Sequence, residues 1–375
     1  EYRRDQREKK VNLSVGVYCD KGLKVPILKS VKRAEKQILS EEKTKNYLPI
    51  AGCFSFIEKT AKLVLGQEFY EREKDKIFGI QAPGGTGALR VGAAFLKEKI
   101  TEVVALSDPT WANHKKIFSH AKMRLVYYPY YDFERHTVSF EKMKRALNSL
   151  PSQSCVLLHA SCHNPTGIDL NLAQWEEISS LCLEKKLFPF FDCAYQGLGQ
   201  GLEEDVQAIR LFAKRGHEFL AAISFSKNFG LYAERTATLI GYAQDSYSCS
   251  KALSHLKLYA RGLYSNPPLH GAQIVATILA NKKLQKKWQK ELVTMRKRIN
   301  KLRIRFCKLL SFYLKNCEFD FLLDKSGMFC YTGLSQEKVR LLQKEFGIYM
   351  TEDGRMNITG LSSQNIKYVV NQKSC

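Results

Sequence analysis

From about residue 75 onward, short apolar runs alternate with amphipathic stretches, and this alternation leaves the chain few architectures. Residues 102–107, 155–161, 187–194, 221–225 and 236–242 are short and apolar, which predicts buried strands. Residues 86–99, 172–185 and 206–214 have the spacing of helices between or beside them. Strands separated by helices predict an α/β domain with a largely parallel sheet. In such a domain, functional groups collect at the carboxyl ends of strands, in the loops that lead to the next helix. A chain of 375 residues is long for one core, so two domains are expected. Pro26 and the middle of a basic stretch at 282–308 are the candidate boundaries. Beyond that stretch, 329–334 and 355–361 look like strand or loop edges of a smaller α+β unit, consistent with a second domain that uses both termini.

The net charge of +22 suggests an anionic partner: nucleic acid, a membrane surface or an acidic small molecule. The excess is uneven. Residues 1–45 carry +6, and residues 282–308 carry +11 with Glu291 as the one acid. In the second stretch Leu284, Trp288, Leu292, Met295, Ile299, Leu302, Phe306 and Leu309 recur at steps of three and four. That spacing predicts a long helix with one apolar stripe and a solvated basic face. No aromatic residues interleave the basic face and no zinc-finger spacing occurs, so nucleic acid is not the expected partner. No uncharged apolar run is long enough for a membrane span, and the residues after Glu1 lack the apolar core of a secretory signal. The 11 cysteines are scattered without a Cys-x-x-Cys pair, which favours a reducing compartment over a disulfide framework or a zinc site.

Four segments carry chemistry. Pro83-Gly84-Gly85-Thr86-Gly87 is a glycine-rich turn entering a helix, where backbone N–H groups and the helix dipole suit a phosphate. It lacks the third glycine of a dinucleotide fingerprint and the Gly-Lys-Ser/Thr of a P-loop. His163-Asn164-Pro165-Thr166-Gly167 follows a predicted strand, with Asn164 at its carboxyl end. His159 and His163 have no carboxylate at metal-ligand spacing and are expected to be structural, and no metal is expected. Asp192 ends a very apolar run and needs a cationic or hydrogen-bonding partner. Lys227 directly follows another strand; partial desolvation there would lower its pKa and make the amine nucleophilic. A phosphate turn, a buried Asp, an Asn, a Tyr and a desolvated Lys at successive strand ends are what pyridoxal phosphate needs.

These segments occur in the order and at about the spacing of aspartate aminotransferases of the eukaryotic type. So do Val11-Asn12-Leu13 with Gly16 and Tyr18, Tyr47-Leu48-Pro49-Ile50, Pro109-Thr110-Trp111 with Asn113-His114, Asp192-Cys193-Ala194-Tyr195-Gln196-Gly197, Ser224-Phe225-Ser226-Lys227-Asn228-Phe229-Gly230, Ser265-Asn266-Pro267-Pro268 and Gly354-Arg355-Met356-Asn357. The chain resembles that family over nearly its whole length. The resemblance implies a type I fold for pyridoxal 5'-phosphate enzymes, with a mostly parallel seven-stranded sheet. It also implies a homodimer with active sites at the subunit interface. It places a large domain at 26–294 and a small domain at 1–25 and 295–375. Lys227 would bond the cofactor covalently and catalyse the proton shift. Asp192 would pair with the pyridine nitrogen, supported from behind by His114. Trp111 would stack on the ring, and Tyr195 and Asn164 would contact its hydroxyl oxygen. Gly85, Thr86, Ser224 and Arg235 would hold the phosphate, with Tyr47 from the other subunit. Arg355 would bind the substrate α-carboxylate with Asn164, Trp111 and the backbone at Gly16, and Arg261 from the other subunit would bind the distal carboxylate.

Two arginines across one ring select a dicarboxylate, because a guanidinium fork left buried and unpaired costs about 1–3 kcal/mol. The expected reaction is therefore aspartate plus 2-oxoglutarate giving oxaloacetate plus glutamate, by ping-pong kinetics. A relative that also takes aromatic amino acids is the alternative, and a non-catalytic binding protein on the same fold a remote one. The expected location is cytoplasmic, with mitochondrial as the other possibility. Some positions depart from the family pattern: Ala233, Thr236, Ala237, Cys193 and Cys19. The methyl of Ala237 is expected to crowd the cofactor floor.

Overall fold

The computed structural model describes residues 1–314 and 319–372. Its centre is a seven-stranded sheet. In chain order the strands are β1 (Ile77–Pro83), β2 (Val103–Asp108), β3 (Arg124–Pro129), β4 (Cys155–His159), β5 (Phe188–Cys193), β6 (Phe219–Ser224) and β7 (Thr236–Tyr242). Their spatial order is β1-β7-β6-β5-β4-β2-β3. Strands β3, β2, β4, β5 and β6 run parallel; β7 is antiparallel to both its neighbours, so it alone runs against the rest. The β4–β5 register sets His159 opposite Asp192.

The apolar runs are buried because both faces of the sheet are covered. Alternate side chains enter different cores. Val156 and Leu158 of β4 join Ala221 and Ile223 of β6 in one, while Cys155 and Leu157 join Leu220 and Ala222 in the other. Helix α1 (Gly84–Lys99) supplies Ala88, Leu89, Val91 and Leu96 to the second core. Helices α2 (Leu172–Glu184) and α3 (Gln207–Lys214) supply Trp175, Ile178, Ile209 and Phe212 to the first. The sequence places five of the seven strands to within two residues at each end. It does not single out β1, which contains Gly79 and Gln81 and ends on Pro83, or the edge strand β3, half of whose face is exposed.

The basic stretch forms one continuous helix, α4 (Lys282–Tyr313). Every predicted stripe residue from Leu284 to Phe306 is buried, and Leu309 is half-buried. The basic face is not wholly solvated. Arg296 donates to Gly197 O (2.9 Å), Arg298 to Cys19 O (2.8 Å) and Leu361 O (3.0 Å), and the buried Arg303 to Gly327 O. Glu291 turns inward too, accepting from the backbone N–H of Lys29 (2.6 Å) and Ser30 (3.1 Å) at the start of the helix Lys29–Glu41.

The two ends of the chain meet. Val11–Asn12 pairs in parallel with Ile348–Tyr349, and Phe329–Tyr331 pairs antiparallel with Arg355–Asn357. The nine cysteines among the described residues are all free thiols. No helix among the described residues is long and apolar enough to cross a membrane.

Candidate active site

A cavity of about 250 Å³ opens at the carboxyl ends of β4, β5 and β6. Gly16, Gly85, Thr86, Trp111, Asn164, Asp192, Tyr195, Ser224, Lys227, Arg235 and Arg355 all line it. His114 lies directly behind Asp192. Tyr47 and Arg261 do not line the cavity: Tyr47 is 86% exposed, and Arg261 is exposed near the end of the helix Ser246–Tyr264. Sequence reasoning gave no site role to four further lining residues, Leu89, Ala194, Ser226 and Phe329, and read His159 as structural. Ala237 does not reach the cavity; it sits in the core with Ala82 and Ala222.

Asp192 is the penultimate residue of β5 and is buried. Burial pushes its carboxyl pKa up. The 2.9 Å hydrogen bond from His114 Nε2, with the nearby His114, His159 and Lys227, outweighs burial and holds the pKa below the ordinary value. Thr110 Oγ1 lies 2.8 Å from His114 Nδ1 and fixes the ring, and Trp111 meets that ring edge-on at 5.2 Å. His159, next to His114 and Asp192, is buried with both ring nitrogens unpartnered; burial lowers its pKa to about 3, so the ring is neutral. Ligand atoms of His114, His159 and Asp192 lie within 4.8 Å of one another, a grouping the chain spacing did not foretell. Both nitrogens of His114 are already engaged by Thr110 and Asp192, which leaves this a hydrogen-bonded support rather than an open ligand set.

Lys227 follows β6, with its Nζ 5.1 Å from the centre of the Tyr195 ring. Burial lowers its pKa, Arg235 lowers it further, and Asp192 opposes both. The loop that carries it is anchored from below. Trp288 of α4 stacks on Phe229 at 4.3 Å and donates Nε1–H to Asn228 O (2.9 Å). Asn228 in turn donates to Gln196 O (3.1 Å), which links the Lys227 loop to the Tyr195 loop.

Around Gly84-Gly85 the backbone is closely approached by Arg235 and Ser224. Gly84 has φ +76°, and a Cβ there would collide with the Arg235 guanidinium. A Cβ on Gly85 would come within 3.2 Å of Ser224 Cβ. The start of α1, Ser224 and Arg235 thus surround a space that a side chain would fill, and each offers N–H or O–H donors.

Opposite the cradle, Arg355 donates Nη1–H to Asn164 Oδ1 (3.3 Å) and Nη2–H to Ser14 O (3.2 Å). Its Nε is buried without a partner, and its guanidinium lies 4.4 Å from the Phe329 ring centre. Asn164 also donates Nδ2–H to Tyr195 Oη (3.4 Å). Asn357, two residues after Arg355, donates to both Val15 O and Val17 O at 2.8 Å, which fastens the backbone around Gly16 beside the arginine.

An anion cradle, a buried carboxylate held ionised, a buried amine and a second arginine therefore face one cavity. A family model described as "Aminotransferase class I and II" matches residues 8–372. The aspartate aminotransferase of Escherichia coli (strain K12) is 44% identical over 366 residues, 97% of this chain and 92% of that protein. The tyrosine aminotransferase of Klebsiella pneumoniae is 41% identical, covering 98% of this chain and 93% of that one. Among solved structures, the aromatic-amino-acid aminotransferase from Burkholderia pseudomallei, covalently bound to pyridoxal phosphate, superposes with a TM-score of 0.95. It is 40% identical, and the match covers 99% of this chain and 93% of that chain. A mitochondrial aspartate aminotransferase from Trypanosoma brucei superposes with a TM-score of 0.94 at 35% identity, over 99% and 97% of the two chains.

Proposed function

The chain belongs to the class I and II aminotransferase family, and from that premise we infer that it transfers the amino group of L-aspartate to 2-oxoglutarate, giving oxaloacetate and L-glutamate. Its cofactor is pyridoxal 5'-phosphate. The observation that carries the reading is the single cavity in which Lys227 and Asp192 stand between an anion cradle and Arg355. The donor set fits the group: glycines, Ser224 and Arg235 for a phosphate, Asp192 for a protonated ring nitrogen, Lys227 for an aldehyde.

When bound, this cofactor supplies an aldehyde that takes up the amino group and a ring that withdraws electrons from the substrate α-carbon. Asp192, through the oxygen that His114 leaves free, would hold the proton on the ring nitrogen. Lys227 Nζ, kept towards its neutral form by burial and by Arg235, would be the base for the proton on the substrate α-carbon. Arg355, which lines the cavity, would bind the α-carboxylate, with Asn164 and the backbone at Gly16 beside it. Trp111 would cover the ring and exclude water, and Tyr195 with Asn164 would support the ring oxygen.

Two groups are missing from the cavity of one chain. Tyr47 and Arg261 are proposed to serve the cavity of a second copy, Tyr47 at the phosphate and Arg261 at the distal carboxylate, in a homodimer. The division into a large and a small domain described above is proposed with it, as is a cytoplasmic location. The tyrosine and aromatic-amino-acid aminotransferases among the relatives favour a second reading, an enzyme that also accepts aromatic substrates. Coupled assays with aspartate, tyrosine and phenylalanine separate the two. For the reaction itself, the purified protein with cofactor should show a visible absorbance band that L-aspartate bleaches and 2-oxoglutarate restores. No band with added cofactor, or a band indifferent to aspartate, would sink the reading. Bleaching by aspartate alone, without keto acid, is also the mark of ping-pong kinetics.

A further inference from the structure

Lys325 is a buried lysine that the transamination chemistry leaves unused. It is 4% exposed, and among the described residues it forms no ion pair with a carboxylate. Its Nζ donates instead to Tyr131 Oη (3.2 Å) and His136 O (3.0 Å), and lies 4.8 Å from the Tyr131 ring centre and 5.5 Å from that of Phe321. The acceptors belong to a small hairpin in which Tyr131–Asp132 pairs with Thr137–Val138. The lysine belongs to the segment that leads into the strand Phe329–Tyr331.

That segment is wedged against the substrate site. Ser326 N–H donates to Gly167 O (2.5 Å), in the turn that carries Asn164. Gly167 has φ +70°, and a Cβ there would meet Lys325 Cβ at 3.2 Å as well as clash with the backbone of Phe329. Phe329 packs on Tyr195 (5.8 Å) and lies under the Arg355 guanidinium. Tyr331 packs on Tyr131 (5.6 Å), and its strand pairs with Arg355 itself. A change at Lys325 therefore has a short packed route to Phe329 and to the register of Arg355.

We propose that Lys325 is a positioning residue for substrate carboxylate binding: its ammonium clamps the 131–138 hairpin to the 325–331 segment and so holds Phe329 against Arg355. Burial is the main cause that lowers the Lys325 pKa, to about 8; Arg303 lowers it too, while Cys330 and Asp324 oppose. The other titratable groups at the clamp are Tyr131, whose pKa burial raises, and His136, whose pKa burial lowers, so both are neutral near pH 8; Asp132 also faces His136. Raising the pH through 8 removes the charge from the clamp, which weakens the hydrogen bonds it donates.

The proposal rests on the aminotransferase reading. Its test uses the holoenzyme with Lys325→Met and Lys325→Arg, and measures kcat and KM for both substrates from pH 6 to 9.5. Lys325→Met should raise KM about tenfold, the weight of one charge-assisted hydrogen bond, and leave kcat within about twofold. In the wild type KM should climb above about pH 8. That climb should vanish in the Met variant and move to higher pH in the Arg variant. An unchanged KM with an unchanged alkaline limb overturns the proposal. So does a joint fall of kcat and thermal stability with no change in the pH profile, which marks a merely structural lysine. If the Met variant does not fold, the alkaline limb of the Arg variant decides. Failure of the aminotransferase reading looks different: the wild-type band itself would not respond to aspartate.

Discussion

At the scale of single residues, Asp192 shows how a charge is kept in an apolar place. Desolvation alone would neutralise it; the hydrogen bond from His114, itself fixed by Thr110, keeps it ionised. Its pKa is lower folded than unfolded, so its ionised form stabilises the protein above the unfolded value of about 4, and this is lost as pH falls through the folded value. Asp192→Asn keeps the shape and removes the charge. It should lower kcat by about two to three orders of magnitude, the scale of one misdirected electrostatic group, with the cofactor still bound. A kcat within tenfold of wild type, at full cofactor occupancy by absorbance, would remove Asp192 from its proposed role. Asp192, Lys227 and Asn164 were legible in the sequence because each stands where an apolar run stops. His159 was not, since it shares a segment with His163, and only the β4–β5 register turns it to face Asp192. Phe329 was also hidden: in the sequence it is one more apolar residue in an apolar strand.

At the scale of elements, α4 is a frame for the site more than a charged surface. Its apolar stripe could be counted from the sequence, and Trp288 on that stripe holds the loop of Lys227. What periodicity could not tell is which polar residues turn inward. Glu291, Arg296, Arg298 and Arg303 look like solvated residues of a helical wheel, yet each finds a backbone partner on another element. Long side chains reach such partners from positions beside the stripe, and hydropathy does not record their direction. Glu291 acts as a cap supplied in trans to the helix Lys29–Glu41, whose own preceding residue, Leu28, makes no side-chain cap. Glu291→Ala should cost about 1–2 kcal/mol, the range of a lost N-cap, read as a fall in denaturant midpoint at unchanged slope. A midpoint equal to wild type would mean that water replaces the carboxylate without loss. Edge strand β3 illustrates the opposite limit. Its apolar run, Leu125 to Tyr128, is only four residues long between Arg124 and Pro129 and includes the exposed Tyr127, so it lacks the long buried run that made the central strands visible.

At the scale of the whole molecule, two residues proposed to serve the site, Tyr47 and Arg261, lie outside the cavity of their own chain. Of the +22, residues 1–45 and 282–308 carry +17, away from the strand ends that form the cavity. The charges proposed to meet substrate are few, and one of them, Arg261, is exposed on its own chain. The segment of Tyr47 is tied to the end of the helix that carries Arg261: Asn266, just past that helix, donates to Leu48 O (3.3 Å). Phe54 (75%) and Leu258 (66%) are exposed apolar side chains too, as expected of a surface that pairs two copies. If the surface pairs two copies so that each completes the other's site, two dead variants should rescue one another. Lys227→Ala removes the base from its own cavity but still presents Arg261 to its partner. Arg261→Ala keeps Lys227 but starves its partner of the distal arginine. In a dimer of one variant with the other, the cavity that holds Lys227 receives an intact Arg261, and the second cavity lacks both. Random mixing of equal amounts makes half the dimers hybrid, and one site in two of each hybrid is whole. Activity towards aspartate should therefore recover to about a quarter of wild type after co-refolding or co-expression. No recovery, in a mixture shown to contain hybrids, would mean that Arg261 acts within its own chain or not at all.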